Sequence, residues 1–87
     1  MDFGFFVTLE EPYKGYDDEE VIGRYWTYGE ASAKLTTEVS RIIGELGQAG
    51  YADDLKVITS ISKDNVQFIS NATGDLLAEL NVDEREV

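Results

Sequence analysis

One stretch, residues 27–51, most constrains how this chain folds, because it is the only segment of helix length with a helical period. Its sequence is TYGEASAKLTTEVSRIIGELGQAGY. Apolar residues recur in it at spacings of three and four, which places them on one face of a 3.6-residue helix. These residues are Ala31, Leu35, Val39, Ile42 and Leu46. The stretch therefore predicts a single amphipathic helix.

Both ends of the predicted helix carry termination signals. Thr27 and Glu30 have the T-x-x-E spacing of a capping box, in which hydroxyl and carboxylate satisfy free amides at the helix start. Gly50 can adopt the left-handed conformation of a C-terminal cap, after which Tyr51 is expected to pack back on Leu46.

The rest of the helix circumference divides into two stripes. One stripe alternates in charge and consists of Glu30, Lys34, Glu38, Arg41 and Glu45. The other contains only small residues, namely Ala33, Thr36, Ser40, Gly44 and Gly47. A glycine inside a helix costs about 1 kcal/mol relative to alanine. The small stripe is therefore either a site of close approach by another element or partner, or an unconstrained solvated face.

Strand patterns precede and follow the helix. The predicted strands are residues 3–9, 22–27, 55–61, 66–69 and 76–82. Turn residues at 62–65 and 71–75 separate the last three. The order β-β-α-β-β-β predicts an α+β fold, in which an antiparallel sheet of four to five strands carries one helix on one face.

The strand alternation divides the apolar side chains of the sheet between two faces. The face that we expect the helix to cover carries Phe5, Val7, Val57, Ile61, Phe68, Ala78 and Leu80. The opposite face carries Phe6, Ile58, Ile69 and Leu77. An exposed apolar cluster of this kind would mark a dimer or partner interface. The alternative is that sheet twist, Tyr25, Trp26 and a neighbouring loop cover it.

Composition bounds the size of the core and the nature of the partners. The 87 residues, 43% of them hydrophobic, suffice for one domain, 1–87, with one modest core. Eighteen acidic residues against seven basic ones give a net charge of −11. This charge opposes direct binding to nucleic acid or an anionic membrane and favours a basic partner surface. The charged tail 83–87 is predicted to fray.

The sequence offers little for catalysis or metal binding. It contains no cysteine and no histidine, which removes disulfides, thiolate metal sites and the commonest general base. The acidic run 17–20 lacks the spacing of a calcium loop. The start MDFGFFVTLEE does not resemble a signal peptide, and no stretch is long and apolar enough for a membrane span. We expect a cytoplasmic protein without a catalytic, cofactor or metal site.

Residues 10–20, EEPYKGYDDEE, contain the only proline, two tyrosines and six carboxylates, and this composition predicts an acidic loop. Carboxylates can imitate phosphates, and tyrosines supply the buried anchors of many interfaces. The predicted partner-binding residues are Glu10, Glu11, Tyr13, Tyr16, Asp17, Asp18, Glu19 and Glu20. The alternative is a solvated loop that only confers solubility.

These features favour a small acidic inhibitor that blocks a nucleic-acid-binding protein or nuclease complex by mimicking nucleic acid. In size, charge, α+β layout and lack of catalytic residues, the chain resembles the anti-defence proteins of phages, including anti-CRISPR and anti-restriction inhibitors. That resemblance is one of class, implies action in the host cytoplasm, and transfers no residue role. Two alternatives stay open. One is an immunity protein for a toxin nuclease. The other is a structural or assembly subunit that oligomerises, for example as a homodimer, through its uncovered sheet face or the small-residue stripe of the helix.

Overall fold

The chain forms a five-stranded antiparallel sheet with one helix packed against it. A computed structural model describes residues 2–87, except for the side chains of Tyr16 and Asp17. The elements are β1 (Phe3–Glu11), a 3₁₀ turn (Pro12–Lys14), β2 (Tyr16–Tyr25), α1 (Tyr28–Leu46), a π turn (Gly47–Tyr51), β3 (Leu55–Thr59), β4 (Asn65–Ser70) and β5 (Leu76–Glu86). The strand order in the sheet is β2-β1-β5-β4-β3. The predicted α+β fold and its β-β-α-β-β-β order are confirmed.

The helix begins where its capping signal predicts. Thr27 has extended backbone angles, and its Oγ1 accepts a hydrogen bond of 3.2 Å from the amide of Glu30. The same hydroxyl donates to Oε1 of Glu30 at 2.9 Å. At the other end, α-helical bonding stops at Leu46, and a π turn carries the chain on to Gly50, whose φ of +102° is left-handed as predicted.

The core lies between α1 and the inner face of the sheet. The helix contributes Ala31, Leu35, Ile42 and Leu46, with Val39 partly buried beside them. The sheet contributes Val7, Leu9, Val66, Phe68, Leu77, Ala78, Leu80 and Val82, with Phe5 partly buried. Burying a large aliphatic or aromatic side chain contributes roughly 1.5–3 kcal/mol. The predicted apolar stripe of the helix is therefore the surface that holds α1 on the sheet.

Three predictions about which apolar side chains the helix covers are wrong. Val57 and Ile61, expected under the helix, are 41% and 103% exposed. The reason is that α1 lies over β1, β2 and β5 and leaves β3 largely uncovered, while Ile61 falls in the turn after β3. Leu77, expected on the open face, is in the core. The register of β4 with β5 shifts between Phe68 and Ile69, so Leu77 is the extra residue of a β-bulge and turns inward.

Residues 10–20 do not form the predicted acidic loop. Glu10 and Glu11 extend β1, and residues 16–20 begin β2, so only residues 12–15 connect the two strands. Gly15 closes this short connection with a φ of +85°. Aspartate and glutamate have low strand propensity, but tertiary context overrides it, because pairing with β1 supplies the backbone bonds of β2.

The predicted fraying of residues 83–87 is also wrong. β5 continues to Glu86, which pairs with Phe3, and the intervening residues pair with β1 in unbroken register. The amide of Val87 then donates a 3.0 Å hydrogen bond to the carbonyl of Asp2. The charged tail is ordered because β1 and β5 are neighbours in the middle of the sheet.

Candidate partner-binding surface

The acidic run of β2 lies along a free edge of the sheet. β1 is the only described strand that pairs with β2. The side chains of Asp18, Glu19 and Glu20 are exposed, whereas those of the predicted site residues Tyr16 and Asp17 lie outside the described part of the structure. The register of β1 with β2 shifts between Leu9 and Glu11, so β2 has extra residues at its acidic run. The exposed carboxylates therefore lie on a bulged part of this edge strand.

Glu10 adds negative charge to the uncovered face of the sheet. It lies directly opposite Glu79 of β5, and like charges in this position repel. Amide side chains hold Glu79, since its Oε2 accepts hydrogen bonds from Nδ2 of Asn65 at 2.7 Å and from Nε2 of Gln67 at 3.2 Å. The uncovered face is thus polar and acidic beside β2.

Arg85 neutralises part of this surface. Its guanidinium donates hydrogen bonds to Glu19 and Asp83, which raise the pKa of Arg85 above its ordinary value. It also lies 5.4 Å from the centre of the Phe6 ring, and Arg24 lies 6.0 Å from the same ring. Phe6 is therefore flanked by two cations, and it does not join Ile58, on the far strand β3, in a continuous apolar patch.

Glu11 and Tyr13, two further predicted site residues, lie on the helix side of the β1–β2 connection. Glu11 is buried, and its carboxylate is 2.9 Å from Nζ of Lys14. Nζ of Lys14 also lies 3.6 Å from Oε2 of Glu45 in α1. The Tyr13 ring meets that of Tyr51 edge-on at 6.4 Å, and burial raises the pKa of Tyr13. These contacts attach the strand connection to the helix, so the exposed carboxylates available to a partner are those of residues 18–20, with Glu10 half-buried beside them.

A feature at the other end of β2 was not predicted from the sequence. Trp26 is 69% exposed. With Arg24 and Tyr25 it lines an open pocket of about 470 Å³, which Asp2 and Val87 also border. Tryptophan, tyrosine and arginine are the residue types that most often dominate binding energy at interfaces. Arg24, Tyr25 and Trp26 are adjacent in the sequence, and their residue types are typical of interfaces. The strand pattern around them, however, predicts only an extended segment before the helix.

Within residues 2–87, no helix is long and apolar enough to cross a membrane. The described side chains also contain no group of three or more acidic residues arranged to hold a metal ion. Comparison of the chain with protein-family models, curated proteins and solved structures found no match. Function is therefore inferred from β2 and the face beside it.

Proposed function

We propose that this chain is a small acidic inhibitor that binds a basic protein surface and keeps nucleic acid away from it. The observation that carries the proposal is the edge strand β2, on which Asp18, Glu19 and Glu20 are exposed in consecutive positions. The net charge of −11 would steer the chain toward a basic groove and away from nucleic acid itself.

A paired strand suits this role better than a flexible loop. Tyr16 pairs with Glu11 and Glu20 pairs with Leu9, so β1 anchors the backbone on both sides of the acidic run, and less conformational entropy is lost when the complex forms. Trp26, at the end of the same strand, offers an apolar anchor roughly 26 Å from Asp18. A partner groove that spans β2 would meet carboxylates at one end and an exposed indole at the other.

The biology that we assign to this activity is phage anti-defence, with a CRISPR effector or a restriction nuclease as the target class. An immunity protein would present the same acidic edge to a toxin nuclease. The two roles differ in the identity of the protein that is bound, and the test must therefore include both classes of target.

Charge reversal on β2 tests the mechanism. In the variant Asp18→Lys/Glu20→Lys the ion pair between Glu19 and Arg85 stays intact. The matched control is Asp53→Lys/Asp75→Lys, which changes the net charge equally at exposed positions outside β2. The measurement is displacement of a fluorescein-labelled DNA duplex from purified CRISPR effectors, restriction nucleases and toxin nucleases, followed by fluorescence anisotropy.

We expect the unmodified chain and the control to displace DNA from one of these proteins, with an effect that weakens as salt rises. The β2 variant should be weaker by roughly tenfold or more. Equal displacement by the two variants would show that β2 is not the binding edge. Failure of the unmodified chain to displace DNA from any protein tested would contradict the proposed function.

A further inference from the structure

β3 is the other free edge of the sheet, and it differs from β2 in charge. The sequences of β3 and β4, LKVIT and NVQFIS, contain no carboxylate, whereas β2 contains four. All residues of β3 after Leu55 are exposed, including Val57 at 41% and Ile58 at 40%. β3 is therefore an apolar edge, free of acidic residues, in a chain with a net charge of −11.

The hydrogen-bond pattern shows which backbone groups of this edge face outward. The amide of Ser60 donates to the carbonyl of Asn65 at 2.9 Å. Because bonded and non-bonded pairs alternate in an antiparallel ladder, the even-numbered residues of β3 bond to β4. The N–H and C=O groups of Leu55, Val57 and Thr59 thus point away from β4, where another strand can pair with them.

A groove beside this edge would receive the side chains of an added strand. It has a volume of about 270 Å³ and separates α1 from the ends of β3 and β4. Leu35 and Val39 line its helix side, and Thr59 and Val66 line its strand side. Ile43, which is 42% exposed, lies one turn beyond Val39 on the same side of α1. The groove is open because α1 packs mainly over β1, β2 and β5.

We propose that β3 pairs with β3 of a second copy of this chain, antiparallel about a two-fold axis at Val57, so that the two sheets become continuous. In this register the two Val57 residues face each other, and Leu55 faces Thr59 of the second copy. Each of these pairs can exchange both of its outward-facing backbone hydrogen bonds. Lys56 then faces Ile58, so its aliphatic stem covers the isoleucine and no like charges oppose each other.

Charge favours a second copy as the occupant of this edge. Pairing through β3 leaves the two acidic β2 strands at the outer edges of the joined sheet. They are then separated by roughly 43 Å, at about 4.8 Å per strand. This distance is several times the Debye length of about 8 Å at physiological salt. Self-association through β2 would instead bring its carboxylates together, so β3 is the edge at which two such acidic chains can meet.

Single cysteine variants test the register, because the natural chain has no cysteine. Facing residues in a hydrogen-bonded antiparallel pair have Cα atoms about 5.5 Å apart, which a disulfide can span. Val57→Cys should therefore form a disulfide-linked dimer under mild oxidation. Thr59→Cys is the matched control, since the two copies of that residue would lie about 14 Å apart along the strand. Equal cross-linking of the two variants, or none in either, would overturn the proposed register.

Sedimentation equilibrium tests the association itself. We expect the unmodified chain to show a monomer–dimer equilibrium between micromolar and millimolar concentration. Val57→Glu places two carboxylates together on the axis and should weaken dimerisation by roughly tenfold or more. Val21→Glu makes the same change at an exposed valine of β2 and should leave dimerisation unchanged. Circular dichroism checks that both variants fold. If Val57→Glu does not fold, the comparison of Val57→Cys with Thr59→Cys tests the association instead. A chain that stays monomeric throughout would overturn the proposal.

Discussion

Nζ of Lys34 lies 2.9 Å from Oε1 of Glu38, one turn further along α1. The other carboxylate oxygen of Glu38 lies 2.5 Å from Nε of Arg41. The sequence places Glu38 on the charged stripe of the helix, away from the apolar stripe, yet the residue is only 6% exposed. A carboxylate at this depth is costly unless it is paired. The two cations on either side of Glu38 therefore allow it to lie at the margin of the core.

Glu38→Gln should lower the free energy of unfolding by about 1–2 kcal/mol at neutral pH, because it removes two charge-assisted hydrogen bonds. Burial acts to raise the pKa of Glu38, but the hydrogen bonds from Lys34 and Arg41 outweigh it and hold the pKa below its ordinary value. A carboxyl whose pKa is lower in the folded state stabilises the fold above its ordinary pKa. That stabilisation is lost as pH falls through the folded value.

Urea unfolding from pH 7 to pH 3 measures this effect. The difference in free energy of unfolding between the unmodified chain and Glu38→Gln should be largest at pH 7 and should shrink below about pH 4. Glu84→Gln, at an exposed position of β5, is the control and should differ little from the unmodified chain at any pH. A difference for Glu38→Gln that does not change with pH would show that the ion pairs are not its source.

Thr27→Ala should reduce stability by about 1 kcal/mol, because it removes the hydroxyl that caps the amide of Glu30. Thr27→Ser keeps the hydroxyl and should stay close to the unmodified chain. Thr37→Ala is the matched control within the helix, where the exposed threonine hydroxyl bonds only to the carbonyl of Ala33. Alanine has the higher helix propensity, so Thr37→Ala should change stability by less than about 0.5 kcal/mol or raise it slightly. Equal losses from the two alanine variants would contradict the capping role.

Alanine substitutions at two glycines should have opposite effects. Gly44 lies in α1, and a methyl group added there would meet no packing neighbour within 4 Å among the described residues. Gly44→Ala should therefore stabilise the chain by roughly 0.5–1 kcal/mol. Gly50 has a φ of +102°, which alanine adopts only with strain, so Gly50→Ala should destabilise it by about 1 kcal/mol. Thermal unfolding of the two variants measures both changes. A loss of stability in Gly44→Ala would indicate that Gly44 packs closely against a neighbour, which the structure of the single chain does not show.

The helix could be predicted because its signals are local. The hydroxyl of Thr27 and the carboxylate of Glu30 are three residues apart, and each turn of the apolar stripe repeats within four residues. The burial of Glu38 could not be predicted from the same pattern, because the spacing of charged residues along the helix does not show how far the sheet extends beneath the helix.

The prediction of an acidic loop at residues 10–20 is wrong for a related physical reason. Pro12 and Gly15 do form a turn, but the pairs that Tyr16 and Glu20 make with β1 draw the acidic residues between them into β2 despite their weak strand propensity. The same limit applies to Leu77. A strict alternation places it on the open face, and only a bulge against β4 turns it into the core.

The sequence by itself determined the order of the elements, the start of the helix, its apolar stripe and the strong negative charge, because each depends on neighbouring residues or on composition. Only the tertiary structure decided which strands became edges. Phe3 pairs with Glu86, so the two ends of the chain meet in the middle of the sheet and leave β2 and β3 outside. That arrangement depends on backbone hydrogen bonds between residues far apart in the chain, and no local pattern encodes them.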